Sequence, residues 1–168
     1  MQIKFKAFMM HLEDTPLDIG YGSQKVTISD KNGSKFVIGG QNGKTQLIFT
    51  LPFVDDKSLK ELEDILIHVK EHNIDASLVT ANDKTINPDF KNINFYIDTD
   101  GEFGDFYGVR LKGEPFGGEF TKAVILISKD GAIFYDEFLD DLDKKFNLNT
   151  LLIQITAAQT CYMGKGCH

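Results

Sequence analysis

Residues 45–80 read TQLIFTLPFVDDKSLKELEDILIHVKEHNIDASLVT, and this stretch decides the fold. Residues 45–53 are rich in β-branched and aromatic side chains, which suit a pleated, buried surface. Pro52 has no N–H to give to a ladder, so it marks the end or the edge of that strand. Ser58 and Glu61 stand at the Ser-x-x-Glu spacing of a capping box, which predicts a helix with Ser58 as its N-cap. Leu59, Leu62, Ile65, Leu66 and Val69 then recur at helical spacing until Asn73. Residues 74–80 return to an apolar, strand-like run. Strand, helix of about 15 residues and strand make a βαβ unit, which favours a right-handed parallel crossover.

Working outward, residues 25–28 and 35–38 bracket Asp30-Lys31-Asn32-Gly33, whose Asn-Gly supplies the positive φ of a tight hairpin turn. Residues 3–6 and 9–12 are short alternating runs that predict an N-terminal hairpin flanking the main core. Beyond Thr80, residues 81–94 are polar and lack helical period, which predicts a loop. A short strand at 94–97, a short helix at 101–107 and a glycine-rich loop at 113–118 follow. Residues 123–127 and 133–135 then form a hairpin around Asp130-Gly131, its first strand apolar on both faces as a central strand would be. A last helix is expected over 149–158. The order β-α-β, loop, β-β-α is that of a thioredoxin-like α/β fold, preceded here by extra strands.

At 168 residues the chain suits a single core, expected over 1–158, with a short tail at 159–168. Its 14 Phe and no Trp put Phe in charge of burial. A net charge of −7 repels phosphate backbones and anionic lipid, so nucleic acid and membrane surfaces are not expected as partners. No apolar run approaches the ~20 residues that span a bilayer, and a cytoplasmic address is the expectation.

Three sets of residues carry a likeness to a known family. The opening residues 3–20, IKFKAFMMHLEDTPLDIG, close on Leu17-Asp18-Ile19-Gly20; Gly104-Asp105-Phe106-Tyr107-Gly108-Val109 and Lys122-Ala123-Val124-Ile125 follow downstream. Over residues 3 to about 157 the chain resembles the bacterial thiol peroxidases, a branch of the peroxiredoxins. The resemblance implies a peroxiredoxin-type thioredoxin fold with an N-terminal β-hairpin extension, and a homodimer. It also implies a site of pattern Pro-x-x-x-Thr-x-x-Cys, where a helix N-terminus and an Arg lower the thiol pKa and Thr positions the peroxide. The matching frame here is Pro52-Phe53-Val54-Asp55-Asp56-Lys57-Ser58-Leu59. Pro52 is kept, Asp56 stands for the Thr and Leu59 for the nucleophile. Lys122 stands for the Arg, keeping the charge but losing the bidentate fork. The helix that carries the family's second cysteine corresponds to the polar loop 82–92. Ser58, one residue away, has no basic partner and cannot replace the thiol. A scaffold that has lost its peroxidase centre and acts by binding a small anion or a protein partner is the leading expectation.

The cysteines, Cys161 and Cys167, both lie in the tail and leave the body of the fold without a disulfide. With Met163 and His168 they form a soft ligand set suited to zinc or Cu(I), a possible dithiol redox pair, or an inert tail. Apart from such a metal no cofactor is expected, since Gly101, Gly104 and Gly108 do not have a phosphate-binding rhythm. Met9, Met10 and His11 read as hairpin residues on alternate faces. His68 and His72 have the i, i+4 spacing of a ligand pair but sit where they complement a helix C-terminus. Asp136, Glu137, Asp140, Asp141 and Asp143 lack the rhythm of a calcium loop and read as solvated charge.

Overall fold

The computed structural model describes residues 1–85 and 87–160. Strands β1 (Gln2–Phe5) and β2 (Phe8–Leu12) form the N-terminal hairpin, and β3 (Val26–Ser29) and β4 (Lys35–Ile38) form a second one. There follow β5 (Thr45–Thr50), α1 (Asp56–Val69), β6 (Ile74–Thr80), β7 (Asn94–Ile97), α2 (Glu102–Tyr107), β8 (Leu111–Lys112), β9 (Ala123–Ile127), β10 (Ile133–Phe138) and α3 (Leu148–Thr160).

The main sheet has the order β10-β9-β5-β6-β7-β3-β4. Only β5–β6 and β6–β7 are parallel, and α1 is the crossover between β5 and β6. Every residue of β5 and of β9 is buried, as strands with a neighbour on each side and a packed layer on each face require. One face packs Leu47, Phe49 and Leu78 under Leu62, Ile65 and Leu66 of α1 and Leu151 and Ile155 of α3. The other packs Ile48, Val79 and Ile125 under Phe103 and Tyr107 of α2. The hairpin β1–β2 joins β8 in a separate three-stranded sheet and has a small core of its own around Ile3, Met10 and Leu111. Met10 is fully buried and its neighbour Met9 is 51% exposed, the alternation expected of a strand with one wet face.

The structure departs from the sequence reading in four places. Strand β5 stops at Thr50, three residues short of Phe53, and residues 51–55 form a loop. Asp55, not Ser58, is the N-cap of α1: its backbone is extended (φ −118°, ψ 175°) and its Oδ1 accepts the Ser58 N–H at 2.8 Å. Strand β8 is two residues long and has no periodicity to read. Strand β10 continues to Phe138, so Asp136 and Glu137 stand on a partly buried strand and not in a solvated loop.

Candidate functional site

The loop after β5 and the first turn of α1 place the frame Pro52 to Leu59. Pro52 is buried, and Leu59 is half-buried on the first turn of α1, its N–H donating to Asp55 O at 2.9 Å. Burial alone would raise the Asp55 pKa, but the hydrogen bonds from Ser58 and the Lys57 charge outweigh it and hold the carboxyl below its ordinary value. Asp56 follows on the helix and is exposed. The N-terminus of α1 therefore carries two carboxylates, Asp55 and Asp56, and an apolar side chain at Leu59.

Lys122 is the residue whose role changes most. It lies just before β9 and is 5% exposed, and its Nζ meets Glu61 Oε1 at 2.5 Å. The same ammonium donates to Lys144 O at 2.7 Å and lies 5.2 Å from the centroid of the Phe146 ring. Glu61, 7% exposed, accepts the Phe146 N–H on its other oxygen at 2.6 Å. The carboxylate and the ammonium thus have partners on both sides, and together they tie α1 to β9 and to the segment before α3. Lys57 adds a surface bond from its Nζ to Asp143 O at 3.0 Å. Glu61 was read from sequence as half of a capping box. The Asp at position 55, three residues before Ser58, offers the alternative cap that frees Glu61 for the interior.

A cleft of about 400 Å³ opens over this region, lined by Pro52, Phe53, Val54, Lys84, Pro115 and Phe116 among others. Asp56, Leu59 and Lys122 do not line it, so of the four frame residues only Pro52 faces the cleft. Phe5, Phe53 and Phe116 pack with centroids 5.0 to 5.5 Å apart and build its apolar side. The loop between β6 and β7 supplies Lys84, and Asn82 from that loop donates to Glu119 Oε1 at 2.8 Å.

The other sequence candidates are separated. His68 Nδ1 lies 2.7 Å from Asp64 O and His72 Nδ1 lies 2.8 Å from Gln159 Oε1, so the two rings turn to different partners. Asp140 pairs with Lys144 at 2.9 Å, and Asp141 Oδ1 accepts the Asp143 N–H at 3.0 Å. Among the described residues no three His, Cys, Asp or Glu side chains are grouped to hold a metal. Cys161, Met163, Cys167 and His168 lie outside the described residues.

One network had no signal in the sequence reading. The Asp98 carboxylate is buried and caps α2, accepting the N–H groups of Phe103 and Gly104 at 3.0 and 2.9 Å. Burial pushes its pKa up against those two bonds and the nearby Arg110 charge. Arg110, the one arginine of the chain, lies over Gly104 and bonds Asp105 at 2.7 Å. A Cβ at Gly104 would lie 2.8 Å from Arg110 Cζ and 2.9 Å from the Phe120 ring, so only glycine fits. This network is structural and holds the motif 104–109 in place.

No known family model matches the chain, and no curated protein matches it either. Solved structures do. A peroxiredoxin-like protein from Aquifex aeolicus superposes with a TM-score of 0.79 at 18% identity, covering 94% of this chain and 97% of that one. The thiol peroxidase from Chromobacterium violaceum gives 0.78 at 17% identity over 92% of this chain and 95% of that one. Peroxiredoxin 5 from Alvinella pompejana gives 0.62 at 19% identity over 84% of this chain and 99% of that one. The fold is that of the peroxiredoxins, α/β and thioredoxin-like, and the likeness covers most of the chain. Among the described residues no helix is long and apolar enough to cross a membrane.

Proposed function

We propose that this chain is a binding or regulatory protein built on a peroxiredoxin scaffold, and that it is not a peroxidase. The observation that carries the reading is the buried Lys122–Glu61 pair. Peroxide reduction by a thiol needs a thiolate nucleophile, and the thiolate needs a cation or helix N-terminus to lower its pKa. Leu59 supplies no nucleophile. The cation at Lys122 is spent on Glu61, Lys144 O and the Phe146 ring. Asp55 and Asp56 add negative charge at the helix N-terminus, where it would oppose a second anion. What remains is the cleft beside Pro52, with an aromatic side and Lys84 at its rim, a surface fitted to hold a group and not to transform it.

The same reading places the protein in the cytoplasm as a homodimer. Sedimentation of the full chain tests the second part: a monomer at micromolar concentration contradicts it. The activity claim is tested by peroxide consumption with thioredoxin, its reductase and NADPH. The expected rate is that of the tail thiols alone, unchanged by Leu59→Ala and lost in a Cys161→Ser/Cys167→Ser variant. Catalysed turnover that survives removal of both cysteines overturns the reading. Thiol titration and elemental analysis of the purified chain divide a metal site, a disulfide and an inert tail at Cys161, Cys167 and His168.

A further inference from the structure

Four steps in the chain put a glycine directly after an Asn or an Asp: 32–33, 42–43, 100–101 and 130–131. The glycine nitrogen of such a step can close on the side-chain carbonyl carbon before it, because no Cβ stands in the way. The state of that N–H therefore decides how readily the step reacts. In three of the four it is engaged. Gly33 N–H donates to Asp30 O at 3.1 Å, Gly101 N–H to Asp98 O at 3.2 Å and Gly131 N–H to Ser128 O at 2.9 Å. Each bond closes a turn and holds the proton that the reaction must remove.

Gly43 differs. Among the described residues its N–H meets no acceptor, and it stands exposed at φ +81° with open space beside its Cα. The side chain before it is held ready: Asn42 Oδ1 accepts the Lys44 N–H at 2.9 Å, a local turn that polarises the amide carbonyl. At the other Asn-Gly step no donor reaches Asn32 Oδ1 among the described residues. There the Asp30 carboxylate accepts the N–H groups of Asn32 and Ser34 on either side of Gly33, both at 2.9 Å, and its negative charge opposes loss of the Gly33 proton. Both asparagines are exposed, so access to water does not separate them.

We infer that Asn42 is a site of spontaneous deamidation, and that the folded chain makes it react ahead of Asn32 although the two share the same dipeptide. The Gly43 N–H gives its proton to water or hydroxide, and the nitrogen bonds to Asn42 Cγ. The charge that develops on Oδ1 is met by the Lys44 N–H. The Cγ–Nδ2 bond then breaks, Nδ2 leaves as ammonia, and a cyclic succinimide remains. Water opens that ring at either carbonyl, leaving an aspartate or an isoaspartate at position 42, and nothing is oxidised or reduced. The product adds a negative charge beside Lys44, whose Nζ lies 3.7 Å from Asp75 Oδ1. The isoaspartate also adds a methylene to the backbone between β4 and β5.

The test is to age the full chain at mildly alkaline pH, folded in buffer and unfolded in guanidinium chloride, and to follow residues 32 and 42 by peptide mapping with mass spectrometry. The exchange of NH for O and the isoaspartate content are read at each position. In the folded chain Asn42 is expected to react about tenfold faster than Asn32, a factor within reach of one hydrogen bond at the nitrogen and one at the oxyanion. Both aspartate and isoaspartate are expected at position 42. Unfolding is expected to bring the two rates together, since only the fold distinguishes the two steps. Equal rates in the folded chain, a faster Asn32, a difference that persists unchanged in guanidinium chloride, or aspartate without isoaspartate at position 42 overturns the inference.

Discussion

Two carboxylates withdrawn from solvent, Glu61 on α1 and Asp136 on β10, have been treated in opposite ways by this fold. Glu61 has an ammonium on one oxygen and a backbone N–H on the other, and Lys122 in turn has a carbonyl and an aromatic face. Asp136 has only Asp18 for company. Where the carboxylate and the ammonium are both matched, nothing is left to act on a ligand, and the pair serves as a brace between α1, β9 and the segment around Phe146. Asp136 is only half-buried, and the charge that faces it is of its own sign.

The largest expected effect comes from breaking the matched pair. Glu61→Ala strands the Lys122 ammonium in the interior, and urea denaturation should register a loss of about 3–5 kcal/mol. Adding Lys122→Met removes the stranded charge, so the double variant should lose less than the sum of the two single losses. It should not recover fully, because Phe146 N–H and Lys144 O each lose a partner, at about 1–3 kcal/mol for a buried group. Additive losses would mean that the pair is not coupled and that Lys122 is free for other work.

A smaller effect of opposite sign is expected at Asp136. Its folded pKa of about 6 lies above the ordinary 3.8, so the folded state holds the proton more tightly than the unfolded chain. The destabilisation is absent below about pH 4, grows as pH rises through about 6, and is complete above it. Asp136→Asn should therefore stabilise the protein by about 1 kcal/mol at pH 7, the full shift being discounted for partial exposure, and should change nothing at pH 4. A destabilised Asn variant at pH 7 would show that the carboxylate has a partner after all. Smaller or comparable is the cap: Asp55→Ala should cost about 1 kcal/mol, measured by the same denaturation, whereas Ser58→Ala should cost a few tenths.

The strands of the main sheet were legible because their patterns are strong: residues 74–80, 94–97 and 123–127 were read with the bounds that the structure gives them. The thioredoxin-like order followed from the order of these strands and helices, and the hairpin extension from the short alternating runs at residues 3–6 and 9–12. Boundaries set by single residues were less legible. The capping-box spacing of Ser58 and Glu61 is real in the sequence, but Asp55 satisfies the helix terminus first, and Glu61 turns inward to a lysine 61 positions away. No local pattern encodes that pairing. The resemblance named Pro52, Asp56, Leu59 and Lys122 as a frame, but it gave no geometry for them. That Lys122 is turned into the core, and that of the four frame residues only Pro52 lines the cleft, depends on contacts between α1, β9 and the segment around Phe146. The partial burial of Asp136 was hidden for a similar reason: five acidic residues among 136–143 look solvated until β10 carries two of them, Asp136 and Glu137, onto a partly buried strand.

The central claim is that the Lys122 cation, committed to Glu61, is not available to a nucleophile on the first turn of α1, and one measurement addresses it directly. A cysteine is introduced by Leu59→Cys in a chain that also carries Cys161→Ser and Cys167→Ser, and its alkylation by iodoacetamide is followed against pH. With Lys122 committed to Glu61 and with Asp55 and Asp56 nearby, the thiol is expected to titrate at or above the ordinary value of about 8.5. A titration below about pH 7 would mean that the helix and Lys122 still stabilise a thiolate there, and that the scaffold remains one substitution from a peroxidase.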